Sequence, residues 1–66
     1  MENIEQIINE RIENHRKDIL FYKERVVFES GNGVLNNFEN IKAYVSEIHK
    51  IELRISELEI VLSLIR

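Results

Sequence analysis

The sequence predicts an all-α fold: a two-helix antiparallel hairpin that self-associates into a four-helix bundle with coiled-coil-like packing. Three observations lead to this prediction. The second half carries an unbroken heptad stripe of apolar residues, the first half carries an apolar seam with helical spacing, and one glycine-containing break separates them. No proline interrupts either half, so each is free to form one long helix.

The first helix is predicted over about residues 3–29. Asn3 can cap its start, with Gln6 in the reciprocal position of a capping box. The apolar seam advances by three or four residues, and two successive steps of four form a stutter that relaxes a left-handed supercoil. The seam comprises Ile4, Ile8, Ile12, His15, Ile19, Tyr22 and Val26. Further apolar residues widen this stripe, which indicates packing against more than one neighbour: Ile7, Leu20, Phe21, Val27 and Phe28.

The bend is predicted at about residues 30–35, where Gly31 and Gly33 are the only glycines of the chain. Gly31 suits the left-handed residue that closes a helix, and Asn32-Gly33 is typical of a turn. Asn36 is then expected to cap the second helix, with Glu39 three residues later in the capping-box position. A connection of this length is usual between antiparallel helices.

The second helix is predicted over about residues 36–65, and its stripe alternates steps of three and four without a slip. The stripe comprises Ile41, Tyr44, Ile48, Ile51, Ile55, Leu58, Leu62 and Ile65. Folding at the bend places Leu62 near Ile4. It places Tyr44 near Tyr22 at the other end of the hairpin. The seam residues of both helices together form the predicted oligomer seam.

Size and composition favour self-association. Sixty-six residues make a single domain, residues 1–66, and a chain this short buries only roughly 60% of its unfolded surface. Small domains usually gain stability from disulfides, a metal or additional subunits, and this sequence contains no cysteine. We therefore expect the chain to associate with copies of itself, and we favour a dimer over a higher oligomer.

Charge and hydropathy narrow the possible environments. The net charge is −3 and neither half has the basic surplus that binds nucleic acid or anionic membranes without sequence preference. No secretory signal is recognisable, and the densest apolar run, Ile60–Ile65, is broken by Ser63 and is far too short to span a membrane. We expect a soluble, cytoplasmic protein. The abundance of Ile, Asn, Glu and Lys is typical of low-GC bacteria and their phages.

A second apolar surface lies on the last turns of the second helix, away from the heptad stripe. Its candidate residues are Leu53, Ile60 and Leu64, which project from the side opposite the stripe, and Val61, which flanks the stripe. A helix that is apolar nearly all round is normally buried. This surface is therefore either part of the core of the bundle or a docking surface for another protein, and the sequence leaves both interpretations open.

The weak candidates for nucleic-acid binding are Arg16, Lys23 and Arg25. With Phe21 and Tyr22 close by, this basic segment on a helical hairpin resembles, in architecture only, the plasmid RNA-modulating Rop hairpin. Acidic residues are interleaved among the bases, and Glu13 with Lys17 and Arg25 with Glu29 are ordinary i, i+4 pairs. A solvated helix face accounts for these bases better than a binding site does.

No pattern of catalytic, cofactor-binding or metal-ligating residues is recognisable. Neither His15 nor His49 has a carboxylate three residues before it, as the di-metal sites of helical bundles require. The sequence therefore predicts no enzyme, cofactor or metal. It predicts a non-enzymatic interaction module, a small oligomeric regulator, adaptor or inhibitor that binds another protein. The alternatives are a Rop-like nucleic-acid binder and a purely structural oligomerisation unit.

Overall fold

The computed structural model describes residues 3–33 and 35–66, which form two α-helices packed side by side as a hairpin. Helix α1 spans Ile4–Gly31 and helix α2 spans Phe38–Ile65, with 28 residues in each. The hairpin is 49 × 17 × 12 Å along its principal axes. The predicted all-α hairpin is confirmed. No helix in the described part of the chain has the length and apolarity needed to cross a membrane.

The start of α1 is capped at the predicted residue. The Asn3 side-chain oxygen accepts a hydrogen bond from the backbone N–H of Glu5 at 2.8 Å, which satisfies one of the free donors of the first turn. The predicted reciprocal bond from Gln6 is wrong. Its amide instead donates to Glu10 at 3.4 Å, one turn along the helix.

The connection between the helices begins later than the predicted bend. Helix α1 continues through Gly31, and the residue with positive φ is Gly33, at 107°, so the left-handed role predicted for Gly31 is wrong. The Asn32 side chain donates to the carbonyl of Phe28 at 3.2 Å. Because this amide satisfies a carbonyl of the last turn, the helix ends without a left-handed glycine at position 31.

The predicted cap of α2 is displaced by one residue. Asn37, not Asn36, occupies the capping position, and its side chain makes no hydrogen bond to α2. Its amide donates instead to the carbonyl oxygen of Glu29 at 3.1 Å. Because α2 begins at Phe38 with Asn37 in the capping position, one residue later than predicted, the capping box predicted for Asn36 and Glu39 does not form.

The interior of the hairpin is small. Only four hydrophobic residues among those described are buried: Ile8, Ile12, Ile51 and Leu62. Ile8, Ile12 and Leu62 form one cluster, against which Ile55 and Leu58 pack. Near the bend the rings of Tyr22 and Tyr44 lie 6.0 Å apart, which confirms their predicted pairing.

At the open end the register differs from the prediction by about one turn. Leu62 packs on Ile8 and Ile12 rather than on Ile4, which is 63% exposed. Each step of four residues turns about 40° past a full turn, so the two successive steps of the stutter also carry Ile4 off the side of α1 that faces α2. An ion pair of 3.1 Å between Arg66 and Glu5 joins the two helix ends there.

Candidate interaction surfaces

The predicted oligomer seam lies largely between the two helices of one hairpin. Ile8, Ile12, Ile51 and Leu62 are buried, and Ile4 and Ile65 are exposed. The other seam residues are half-buried: His15, Ile19, Tyr22, Val26, Ile41, Tyr44, Ile48, Ile55 and Leu58. The hairpin alone thus covers this seam incompletely, and its role in an oligomer stays a prediction.

An outer stripe of three residues on α2 points away from α1. Leu53, Ile60 and Leu64 lie about 180–220° around the helix from the buried Ile51, since each residue advances about 100°. Their exposed fractions range from 52 to 78%. Nothing in the hairpin covers these side chains, so the outer stripe is available for contact with another molecule.

Val61, the fourth residue of the predicted second interface, lies apart from the outer stripe. It lines a groove on one side of the hairpin, which we term the back groove, together with Arg11, His15, Arg54, Glu57 and Leu58. The structure therefore brings together three of the four predicted residues and places Val61 on the flank of α2.

The opposite side of the hairpin, the front face, carries a second groove between α1 and α2. It is lined by Arg16, Ile19, Leu20, Lys23, Glu52 and Ile55. Helical spacing extends this face towards the bend, because Val27 lies seven residues after Leu20, and Val45 and Phe38 precede Glu52 by seven and fourteen. Leu20, Val27, Phe38 and Val45 are 51–73% exposed, and we term them the front apolar cluster.

Towards the open end the front face becomes polar. The groove there is lined by Asn9, Ile12, Glu13, Arg16, Glu59, Leu62, Ser63 and Arg66. Arg16 donates to Glu13 at 3.1 Å and lies 3.6 Å from Glu59 of the other helix. The front face thus divides into an apolar half at the bend and a charged half at the open end.

The three basic candidates do not form one surface. Arg16 and Lys23 lie on the front face, whereas Arg25, nine residues after Arg16, projects from the opposite side of α1. The Arg25 guanidinium lies 5.7 Å from the centre of the Phe21 ring, within the range of a cation–π contact. Carboxylates pair with Arg16, so little unpaired positive charge is concentrated at this site.

Groups with metal-ligating potential are dispersed. Within residues 3–33 and 35–66, no three His, Cys, Asp or Glu side chains lie close enough together to hold a metal ion. His15 lines the back groove and is half-buried, whereas His49 is exposed. The two histidines thus lie in different surroundings.

The front apolar cluster is the surface that sequence reasoning missed. In the sequence, Leu20 and Val27 only widen the stripe of the first helix, and Phe38 and Val45 belong to no predicted surface. The available signal was the seven-residue spacing within each pair, which places two residues on one face of each helix. Only the pairing of the helices shows that both faces lie on the same side.

Comparisons with known proteins give no relatives from which a role can be inferred. No protein-family model, no curated protein sequence and no solved structure matches this chain.

Proposed function

We propose that this chain is a non-enzymatic protein–protein interaction module: a homo-oligomeric helical hairpin that acts as a small regulator, adaptor or inhibitor by binding another protein. The observation that carries the proposal is the outer stripe of Leu53, Ile60 and Leu64. Aliphatic side chains seven and four residues apart on an exposed helix face are the spacing with which helices dock into apolar grooves.

The self-associated state is supported by the small interior. Four buried residues do not give a 66-residue chain a substantial core, and the half-buried seam needs further cover. A four-helix bundle made from two hairpins supplies that cover. The outer stripe faces away from the groove surfaces, so it remains exposed in a dimer that closes over the front face.

The experiment is affinity capture from low-GC bacterial lysates with three baits: the wild type, Ile60→Glu and Ser46→Glu. Ser46 is exposed and lies fourteen residues before Ile60, on the same outer side of α2 but nearer the bend, so it is a matched control. A protein retained by the wild type and Ser46→Glu but lost with Ile60→Glu supports the proposal.

Three results contradict it. Recovery of nucleic acid that is lost at high salt indicates a Rop-like binder. Recovery of no protein with any bait favours a purely structural oligomerisation unit. Identical recovery of a protein with all three baits shows that the outer stripe is not the docking surface. The Ile60→Glu variant should remain helical by circular dichroism, since an exposed residue tolerates a charge. The Leu62→Glu variant is expected to unfold, because it places the charge in the core.

A further inference from the structure

We infer that a second copy of this chain docks on the front face, with both bends at the same end of the dimer and α1 of each hairpin lying over α2 of its partner. This inference rests on the proposed self-association and adds the contact face and the orientation. Three properties of the hairpin carry it: the surface area left exposed, the position of the front apolar cluster, and the charges beside it.

The exposed area matches what a dimer buries. The hairpin exposes 5331 Å². A folded monomer of 7.9 kDa is expected to expose about 4,400 Å², so roughly 900 Å² is in excess. A stable interface removes about 800 Å² from each partner. One copy of the hairpin therefore provides about the area that a second copy needs.

The position of the apolar residues selects the orientation. The front apolar cluster occupies the bend half of the front face, and the charged groove around Arg16 and Glu59 occupies the open half. Bends at opposite ends would press the cluster against the partner's charged half and desolvate those charges at a cost. Bends at the same end place each cluster on its copy, so that apolar surface meets apolar surface.

The charges on the front face select the same orientation. Beside the central groove α1 contributes two bases, Arg16 and Lys23, whereas α2 contributes the acid Glu52. A two-fold axis parallel to the helices places α1 over the partner's α2, so the bases of one hairpin face the acid of the other. Lys23 carries most of this contact, because Arg16 also pairs with Glu13 and Glu59 of its own chain. Near the open end the signs are reversed, with the acid Glu13 on α1 and the base Arg66 on α2, and both are paired within the chain.

Bends at opposite ends produce like-charge contacts. The two-fold axis is then perpendicular to the helices, and α2 lies over the partner's α2. Glu52, at the middle of α2, faces its own copy, and Arg16, near the middle of α1, does the same. Juxtaposed like charges oppose association, so charge complementarity favours bends at the same end.

The test uses two single-cysteine variants, each carrying a spin label, because the chain contains no cysteine of its own. Asn36→Cys labels the bend and Gln6→Cys labels the open end, and both residues are exposed. With bends at the same end, pulsed electron resonance should give both label pairs separations within about 30 Å, since neighbouring helices are about 10 Å apart.

Other distances overturn the orientation. In a fully overlapped dimer with opposed bends both pairs lie more than about 35 Å apart, because Gln6 lies about 12 residues from the middle of α1 and Asn36 lies beyond its far end. In a partly overlapped one, the Gln6 pair is longer still. A monomeric mass by light scattering at micromolar concentration overturns the inference together with the proposed self-association, whereas long distances in a dimer overturn the orientation alone.

The contact face has its own test in two adjacent residues of α2. Val45 belongs to the front apolar cluster, and Ser46 is exposed on the outer side. Val45→Glu should raise the dimer dissociation constant by at least about tenfold, because an unpaired carboxylate is then buried. Ser46→Glu should leave the dissociation constant unchanged. Equal constants for the two variants would rule out the front face as the interface.

Discussion

The side-chain amide of Asn37 donates a hydrogen bond to the carbonyl oxygen of Glu29, 3.1 Å away, and so joins the start of α2 directly to the end of α1. The same carbonyl oxygen also accepts a hydrogen bond from the backbone N–H of Asn32 at 3.2 Å, so it receives one donor from each end of the connection. The bond from Asn37 also fixes the distance between the two helices at the bend, because the donor and the acceptor belong to different helices.

Asn37→Ala is therefore expected to lower the free energy of unfolding by about 1 kcal/mol, the usual contribution of a hydrogen bond or a cap. The measurement is urea unfolding followed by circular dichroism, at one fixed protein concentration because the stability of an oligomer depends on it. Asn36→Ala is the control, since the Asn36 side chain is exposed in the bend. Equal losses for the two variants would show that the bond to Glu29 contributes nothing.

Replacing each of the two glycines with alanine is expected to change the free energy of unfolding in opposite directions. Gly31 is helical with open space around it, so Gly31→Ala should raise the free energy of unfolding by about 0.5–1 kcal/mol. Gly33 has φ 107°, where a Cβ is strained, so Gly33→Ala should lower it by about 1–2 kcal/mol. Thermal unfolding of the two variants against the wild type measures both signs. A stabilised Gly33→Ala protein would contradict the described bend.

Two isoleucines of α1 provide a matched test of the core. Ile12 is buried at 5% exposure within the cluster that includes Leu62, whereas Ile4 is exposed. Ile12→Ala should lower the free energy of unfolding by about 2–4 kcal/mol, through lost burial and the cavity that remains. Ile4→Ala should change it by less than about 0.5 kcal/mol. A large loss from Ile4→Ala would instead restore the register predicted from the heptad, in which Ile4 packs on Leu62.

The sequence predicts the helices better than it predicts their junction. Helix formation follows from local periodicity, and Asn3 caps α1 as its residue type predicts. At the bend, side-chain and backbone amides donate to the last carbonyls of α1. Asn37 bonds to Glu29 across the junction, and Gly33 rather than Gly31 takes the positive φ. Neither outcome follows from residue type, because both depend on how the second helix returns.

The two candidate surfaces also differ in how far the sequence alone predicts them. The outer stripe is visible in the sequence because Leu53, Ile60 and Leu64 lie on one helix, where position around the axis follows from spacing alone. The front apolar cluster is shared between two helices. Whether Leu20 and Val45 lie on the same side depends on how each helix is rotated about its axis, and the stutter in α1 alters that rotation.

The two orientations of a dimer give opposite effects of neutralising Glu52 on the dimer dissociation constant. With bends at the same end, Glu52 faces Arg16 and Lys23 of the other copy. Neutralising it with Glu52→Gln then removes an attraction, and the dissociation constant should rise about two- to fivefold, the range of a solvent-accessible ion pair. With opposed bends Glu52 faces its own copy, so the same substitution removes a repulsion and lowers the constant.

Sedimentation equilibrium of the wild type and Glu52→Gln at low and high salt measures this sign. The difference should shrink at high salt, because mobile ions screen exposed charges. Glu57→Gln is the matched control, since Glu57 is an exposed acid of the same helix that lines the back groove. Its dissociation constant should equal that of the wild type. A lower dissociation constant for Glu52→Gln than for the wild type would exclude bends at the same end, even if the front face is the interface. Removing the charge strengthens the dimer only where Glu52 faces another negative charge.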